Sequence, residues 1–292
     1  MPTANLERAQ RFRIAASVTR RAYDISLARP LPLRATGRMP ETCPILITLD
    51  SSLTFGTIIE RLSLSAALGT LQPAVVVGIG YPGDLFAALL ARTYDFTPVT
   101  PPNAVPPIGP LIGTEFGGAD AFLDFLVDEL APAVRERAPE AAAGRLLLHG
   151  FSLGGLFAAH ALLRRPAAFE GISMIAPSLW WNDFAVLRLR QDFVGELQRT
   201  KAAPRVLVGA GELEQVEPQI APPGVDLEEL RATVRRARML DAARAFAADL
   251  AGLLPSTVEF VCFEGEDHSG ALTAGTGRAV RFLLPRSGVE PG

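Results

Sequence analysis

A serine held between glycines, directly after an apolar run, constrains this chain more than any other feature. Leu146-Leu147-Leu148-His149 leads into Gly150-Phe151-Ser152-Leu153-Gly154-Gly155, and a helical run through Leu156, Phe157, His160 and Ala161 follows. Strand, sharp turn and helix in that order read as a nucleophile elbow. The turn strains the serine backbone, and side chains two positions either way would strike the strand or the helix, which is why glycines flank it. The hydroxyl then stands at the carboxyl end of a sheet. The Leu153 N–H, at a helix N-terminus, is free to stabilise an oxyanion. An ordinary Gly/Ser turn would need neither the strand before it nor the helix after it.

A serine nucleophile needs a base, usually histidine. The chain has 3 histidines. His149 lies within the strand before the elbow and reads as a core or strand-edge residue. His160 sits in the following helix, roughly 12 Å along the axis at about 1.5 Å per residue, too far for a hydrogen bond. His268 remains, in the polar loop Glu264-Gly265-Glu266-Asp267-His268-Ser269-Gly270 after the strand-like 258–263. The order serine then histidine fits an α/β-hydrolase. The acid that orients the imidazole should follow an intervening strand. Arg205-Val206-Leu207-Val208-Gly209-Ala210 is that strand, and the turn Gly211-Glu212-Leu213-Glu214 offers two candidates between which spacing does not choose.

Strands are predicted at 12–18 and 22–27 as an antiparallel pair, then at 45–49, 74–80, 145–149, 172–176, 205–210 and 258–263. Helical patterns fall at 53–68, 119–137, 153–165, 228–253 and 271–284. This alternation predicts a mostly parallel sheet covered by helices on both faces, an α/β-hydrolase fold, in one domain over 1–292. Helix 119–137 shows the period clearly in Phe122, Phe125, Leu126 and Leu130. Two Pro-rich loop insertions, at about 97–118 and 214–227, follow strand ends and read as pocket walls or as mobile decoration.

A 292-residue chain that is 49% hydrophobic can bury a sizeable core, and a net charge of −3 offers no electrostatic footprint for nucleic acid. Lys201 is the sole lysine among 28 basic residues, which reads as a GC-rich coding bias rather than a function. Cys43 and Cys262 lack metal-ligand spacing and do not form a disulfide framework. With no apolar leader and no membrane-length run, a cytoplasmic bacterial protein with no membrane association is expected.

Several further stretches carry a resemblance to a known family. They are Pro44-Ile45-Leu46-Ile47-Thr48-Leu49-Asp50, Val77-Gly78-Ile79-Gly80-Tyr81, Arg92-Thr93-Tyr94-Asp95-Phe96-Thr97-Pro98 and Ala176-Pro177-Ser178-Leu179-Trp180-Trp181. With the helix around Ala119–Leu126 and the Gly211–Glu214 turn, they resemble the enterochelin-esterase-like branch of the esterase-D type α/β-hydrolases over most of the chain. The resemblance implies a serine carboxylic-ester hydrolase acting through an acyl-enzyme, with Ser152 as nucleophile, His268 as base and Glu214 as the orienting acid. Several family members work with a serine–histidine dyad. The resemblance also assigns the second oxyanion N–H to Ser52, where relatives commonly carry glycine at the position of Ser51; Ser51-Ser52 equally suits a helix cap.

Two readings stay open for other residues. Trp180 and Trp181 line a substrate cleft or plug the core. Arg92 forms an ion pair with Asp95 or binds an anionic or polar group of the substrate. The expected substrate is a small-molecule acyl ester, or a siderophore trilactone, with no metal or organic cofactor and no nucleic-acid partner. Acyl transfer, as in the resembling mycolyltransferases, and a catalytically silent binding protein are the alternatives.

Overall fold

Alternating apolar strands and helices build an eight-stranded sheet in a computed structural model, which describes residues 9–32, 40–101, 104, 112–113, 115–221, 223–254 and 257–285. The chain opens with β1 (Ala9–Ala15) and β2 (Ala22–Ala28), paired antiparallel from Ala9↔Ala28 to Ala15↔Ala22. There follow β3 (Ile45–Thr48), α1 (Ser51–Leu68), β4 (Val75–Gly80) and α2 (Leu85–Phe96). A longer helix, α3, joins Ala119–Asp124, a π-helical stretch Phe125–Leu130 and Ala131–Arg137. Next come β5 (Leu146–Phe151), α4 (Leu153–Arg164), β6 (Gly171–Ile175), α5 (Arg190–Thr200) and β7 (Arg205–Gly211). The chain continues with α6 (Leu227–Ala237), α7 (Met239–Leu253), β8 (Val258–Phe263) and α8 (His268–Leu283).

The sheet order is β1-β2-β4-β3-β5-β6-β7-β8, antiparallel at β1, β2 and β4 and parallel from β4 through β8. Central strands β3, β5 and β6 are buried at every position and apolar apart from Thr48, His149 and Ser173, because both faces are covered. Ile45, Ile47, Val75, Val77 and Leu148 pack on one face with Phe122, Phe125 and Phe157 of α3 and α4. The alternate residues Leu46, Val76 and Leu147 pack on the other with Ile58 of α1 and Val280 and Leu283 of α8. This places β5, and hence the residue that ends it, in the middle of the sheet with helices on both sides.

Differences from the sequence reading have local causes. The first strand ends at Ala15 rather than 18 because the Glu129 carboxylate accepts the Ser17 and Val18 N–H groups, both at 2.9 Å, and draws them out of the ladder. Pro132 has no N–H to return to the preceding turn, and the helix widens into its π-helical stretch just before it. The single helix read at 228–253 is two, broken at Arg238 in a left-handed conformation (φ 44°). Helices α2 and α5 have no counterpart in the sequence reading; α2 follows Tyr81-Pro82-Gly83, and Asp84 caps it by accepting the Ala87 N–H at 2.8 Å. Of the insertion at 97–118, residues 102–103, 105–111 and 114 lie outside the described residues, as does 222 in the second. Both cysteines are free, and among the described residues no helix is long and apolar enough to cross a membrane.

His149 is fully buried in β5, with Nδ1 2.8 Å from Ser173 Oγ and Nε2 3.2 Å from Thr276 Oγ1. Burial pushes its pKa down to about 4, so it is neutral at physiological pH. The unfolded chain binds this proton below about pH 6.5 and the folded one only below about 4. Stability from this group is therefore complete above the unfolded value and is lost as pH falls towards the folded one, about 2 kcal/mol by pH 5. Thermal unfolding between pH 7.5 and 5 is expected to lose about 5 °C more in the parent than in His149→Gln. Equal losses would show that His149 does not carry this acid sensitivity.

Candidate active site

The elbow forms because β5 must turn into α4 within one residue. Ser152 does this at φ 58°, ψ −119°, a strained conformation for a residue with a side chain. Hydrogen bonds hold it there: the Ser152 N–H donates to Ile175 O at 2.9 Å, and the Ser152 carbonyl accepts from Ser178 N at 3.1 Å and Leu156 N at 3.0 Å. A Cβ on Gly150 would lie 2.0 Å from the Gly154 carbonyl oxygen, and one on Gly155 would lie 2.9 Å from Pro177 Cα. At Gly154 it would meet only ordinary contacts from 3.4 Å outward. The tightest steric demand therefore falls on Gly150 and Gly155, whereas the motif's own spacing points to Gly150 and Gly154.

His268 opens α8, where Asp267 caps the helix by accepting the Gly270 N–H at 2.9 Å. This is why the last helix starts earlier than its apolar period suggests. The imidazole Nε2 lies 3.0 Å from Ser152 Oγ. Its Nδ1 meets Glu214 Oε1, and the ring packs on Phe151 with centroids 4.8 Å apart. With the proton on Nδ1, that nitrogen donates to the carboxylate and Nε2 accepts from the serine hydroxyl.

Glu214 is buried in a 3₁₀ turn, Glu212–Gln215, directly after β7, and its other oxygen accepts the Gly211 N–H at 3.0 Å. Glu212 points elsewhere and accepts the Gly265 N–H at 2.9 Å. A second tie, from Leu213 N to Glu266 O at 3.0 Å, fastens the acid turn to the histidine loop. The two glutamates that spacing leaves undecided thus have separate structural partners: Glu214 meets the imidazole, and Glu212 holds the loop that carries it. His160 is remote from this group, its Nε2 3.0 Å from Asp120 Oδ1.

Leu153 is the first residue of α4 and Ser52 the second of α1, so neither N–H has an intrahelical partner. The two helix starts are neighbours because β3 and β5 pair directly, and the Leu49 N–H continues the ladder to His149 O at 3.1 Å. Asp50, ahead of Ser51, takes the left-handed conformation (φ 54°, ψ 58°) at the bend where the resemblance places a glycine one position later.

Arg92 is placed differently from both readings. Its Nε and Nη2 donate to the two carboxylate oxygens of Asp50 at 2.6 and 2.8 Å, and its guanidinium lies over the Phe96 ring. Asp95 instead accepts from the Tyr23 hydroxyl at 2.9 Å. Burial raises the Asp95 pKa to about 6. Arg92 is thereby committed to the β3–α1 turn rather than left open to a substrate. Trp181 is likewise not a cleft residue: it is fully buried, and its indole N–H donates to Thr100 Oγ1 at 2.8 Å, pinning the start of the first insertion. Trp180 is partly exposed and packs against two clusters, one of them containing Phe151 and Ile175. The sequence holds no signal for the Asp50–Arg92 pairing, which joins residues 42 apart through the fold.

A sheet of this topology, with a strained serine on its central strand and a histidine and a carboxylate supplied from later loops, defines the α/β-hydrolase class. The chain belongs to the family described as "Putative esterase", whose model matches residues 31–247. It is 35% identical over 272 residues to a siderophore triacetylfusarinine C esterase of Aspergillus fumigatus, covering 90% of this chain and 88% of that one. It is 32% identical over 277 residues to the ferri-bacillibactin esterase BesA of Bacillus subtilis, covering 92% and 86%. The siderophore hydrolase EstA of Aspergillus nidulans shares the fold with a TM-score of 0.79 at 23% identity, over 97% of this chain and 96% of that one. The enterochelin-esterase-like resemblance is thus correct, and the chain is an esterase.

Proposed function

We propose that this protein hydrolyses carboxylic esters through an acyl-enzyme on Ser152, with His268 as general base and acid and Glu214 as the residue that orients His268. The observation that carries this reading is the continuous path from Ser152 Oγ through the imidazole to a buried carboxylate, 3.0 Å at its first step. As Oγ bonds the acyl carbon, its proton passes to Nε2. The Oγ–carbon bond forms, the carbonyl becomes an oxyanion, and Glu214 stabilises the imidazolium. The imidazolium returns the proton to the departing alcohol as the ester C–O bond breaks. Water repeats the sequence and releases the acid.

The Leu153 and Ser52 amides are assigned to the oxyanion, where donors fixed before reaction cost no reorganisation. The substrate class is a small acyl ester or the ester links of a siderophore, the latter because named relatives are siderophore esterases. The test is product balance: acid and alcohol should appear in equal amounts from short 4-nitrophenyl esters and from an ester-linked siderophore. Failure of the folded protein on every ester would overturn the proposal.

Arg92 then has a positioning role, since it clamps the carboxylate of the residue that bends β3 into α1 and so fixes the Ser52 amide. Arg92→Ala is expected to lower kcat about 10- to 100-fold, less than the roughly 100- to 1000-fold of removing an oxyanion donor outright because the Ser52 amide is displaced rather than lost, with KM changed only a few-fold. Arg92→Lys should recover only part of this, because an ammonium cannot make the same two-pronged contact. Leaving Asp50 buried and unpaired should also cost about 3 kcal/mol of stability, so kcat, KM and Tm are measured together. A rise in KM alone would return Arg92 to substrate contact.

A further inference from the structure

We infer that the mouth over Ser152 selects uncharged, apolar acyl esters and discriminates against anionic ones. This deepens the esterase reading and rests on it. The mouth is built from the segments that leave the carboxyl ends of the parallel strands β3 to β8, since Ser152 directly follows the central one, and from the start of the first insertion, which follows α2 and is held to the segment after β6 by the Trp181–Thr100 hydrogen bond. These segments share two properties.

The first is apolar exposure. Leu53 (53% exposed) and Phe86 (60%) stand at the starts of α1 and α2, and Val99 (77%) lies in the first insertion. Leu213 (42%), Val216 (61%) and Ile220 (82%) lie in and after the acid turn. Large apolar side chains left in water on several loops of one sheet edge mark a surface that is covered during function. The described residues of the first insertion between 97 and 113 carry no ionisable side chain.

The second is the sign of the charge. No Lys or Arg occurs in 49–55, 81–86, 151–154, 176–187, 212–230 or 264–270, the stretches that leave the strand ends. Arg188, the first basic residue after β6, is engaged by the Asp183 carboxylate at 3.9 Å and by its carbonyl at 3.5 Å. Arg92 is neutralised by Asp50. Arg231 is engaged by Glu228 and the Pro218 carbonyl, and Arg235 by Glu217. Arg20 and Arg21 lie beyond β4 in the β1–β2 turn, with Arg21 stacked over Tyr94 and 3.9 Å from Asp95. The same edge carries Asp183, Glu264, Glu266 and Asp267, with Asp183 and Glu264 exposed. An anionic acyl group arriving here meets carboxylates of its own sign and apolar walls that would strip its water, with no free cation among the described residues of these stretches to receive it.

The experiment compares two substrates with one leaving group and equal chain length, 4-nitrophenyl hexanoate and the mono-4-nitrophenyl ester of adipic acid. The expected kcat/KM for the adipate ester is at least about tenfold lower at low salt, and the gap should narrow as salt rises towards about 0.5 M. The double variant Asp183→Asn/Glu264→Gln should hydrolyse the hexanoate ester as the parent does and narrow the gap two- to threefold. Equal kcat/KM for the two esters, or faster cleavage of the adipate ester, would overturn the selectivity while leaving the esterase reading intact. No cleavage of the hexanoate ester, or cleavage unchanged by Ser152→Ala, would overturn the esterase reading itself.

Discussion

Ser152→Ala is expected to reduce kcat on an activated ester by about 10⁵- to 10⁶-fold, the scale on which removal of a serine nucleophile acts. The residual rate would come from binding and the oxyanion donors, which the substitution leaves in place. Its effect on stability should be small or favourable, since the strained backbone (φ 58°) is held by main-chain hydrogen bonds to Ile175 and Ser178 that alanine also makes. Circular dichroism and thermal unfolding separate this from misfolding. A variant that retains more than about 1% of parental kcat would remove Ser152 from the role.

The second large effect concerns the relay behind the serine. His268→Ala should lose nearly as much as Ser152→Ala, because the imidazole Nε2, 3.0 Å from Oγ, is the group that takes its proton. Combining the two substitutions should cost little more than either alone, since the residues act as a unit. Glu214→Gln should lower kcat by up to about 10⁴-fold, the cost of replacing the orienting carboxylate of a serine protease by an amide. The amide cannot stabilise the imidazolium and invites the wrong tautomer. Glu212→Gln should stay within a few-fold of the parent, because its carboxylate meets the Gly265 amide rather than the imidazole. A severe loss at Glu212 with none at Glu214 would reverse the assignment, and mild effects at both would leave a serine–histidine dyad.

The contrast between these glutamates shows where sequence legibility ends. The elbow is legible because its demands are local: an apolar strand, glycines where a Cβ would strike the Gly154 carbonyl or Pro177, and a helix immediately after. His268 can be reached by elimination, since His149 is committed to a strand and His160 to a helix. Glu214 cannot be separated from Glu212 by local pattern. What separates them is the close approach of two loops 54 residues apart, tight enough that a Cβ on Gly211 would lie 2.4 Å from the Glu266 carbonyl.

Arg92 escapes the sequence for a related reason. Asp95, three residues along the same helix, is its obvious local partner, yet Arg92 turns to Asp50 across the fold while Asp95 turns to Tyr23. Trp180 and Trp181 are adjacent in sequence and differ in fate because the turn at Asn182–Phe184, with three left-handed residues in succession, sends one ring into the core and leaves the other partly in solvent. Of the fold, the mostly parallel direction of the strands follows from the alternation of apolar runs with helical periods, whereas their order across the sheet, with β4 between β2 and β3, has no local signal. The helices that the pattern hides are α2, behind a Pro-Gly turn, and α5, whose residues are mostly polar and bury Phe193.

The central claim is that Ser152 forms a covalent acyl-type adduct with the help of His268. Its most direct test is intact-protein mass spectrometry after brief reaction with a fluorophosphonate, followed by mapping of the modified peptide. The account predicts one adduct per chain, on Ser152, absent from Ser152→Ala and formed far more slowly by His268→Ala. Labelling of Ser152→Ala at the parental rate, or an adduct mapped to any other residue, would contradict it.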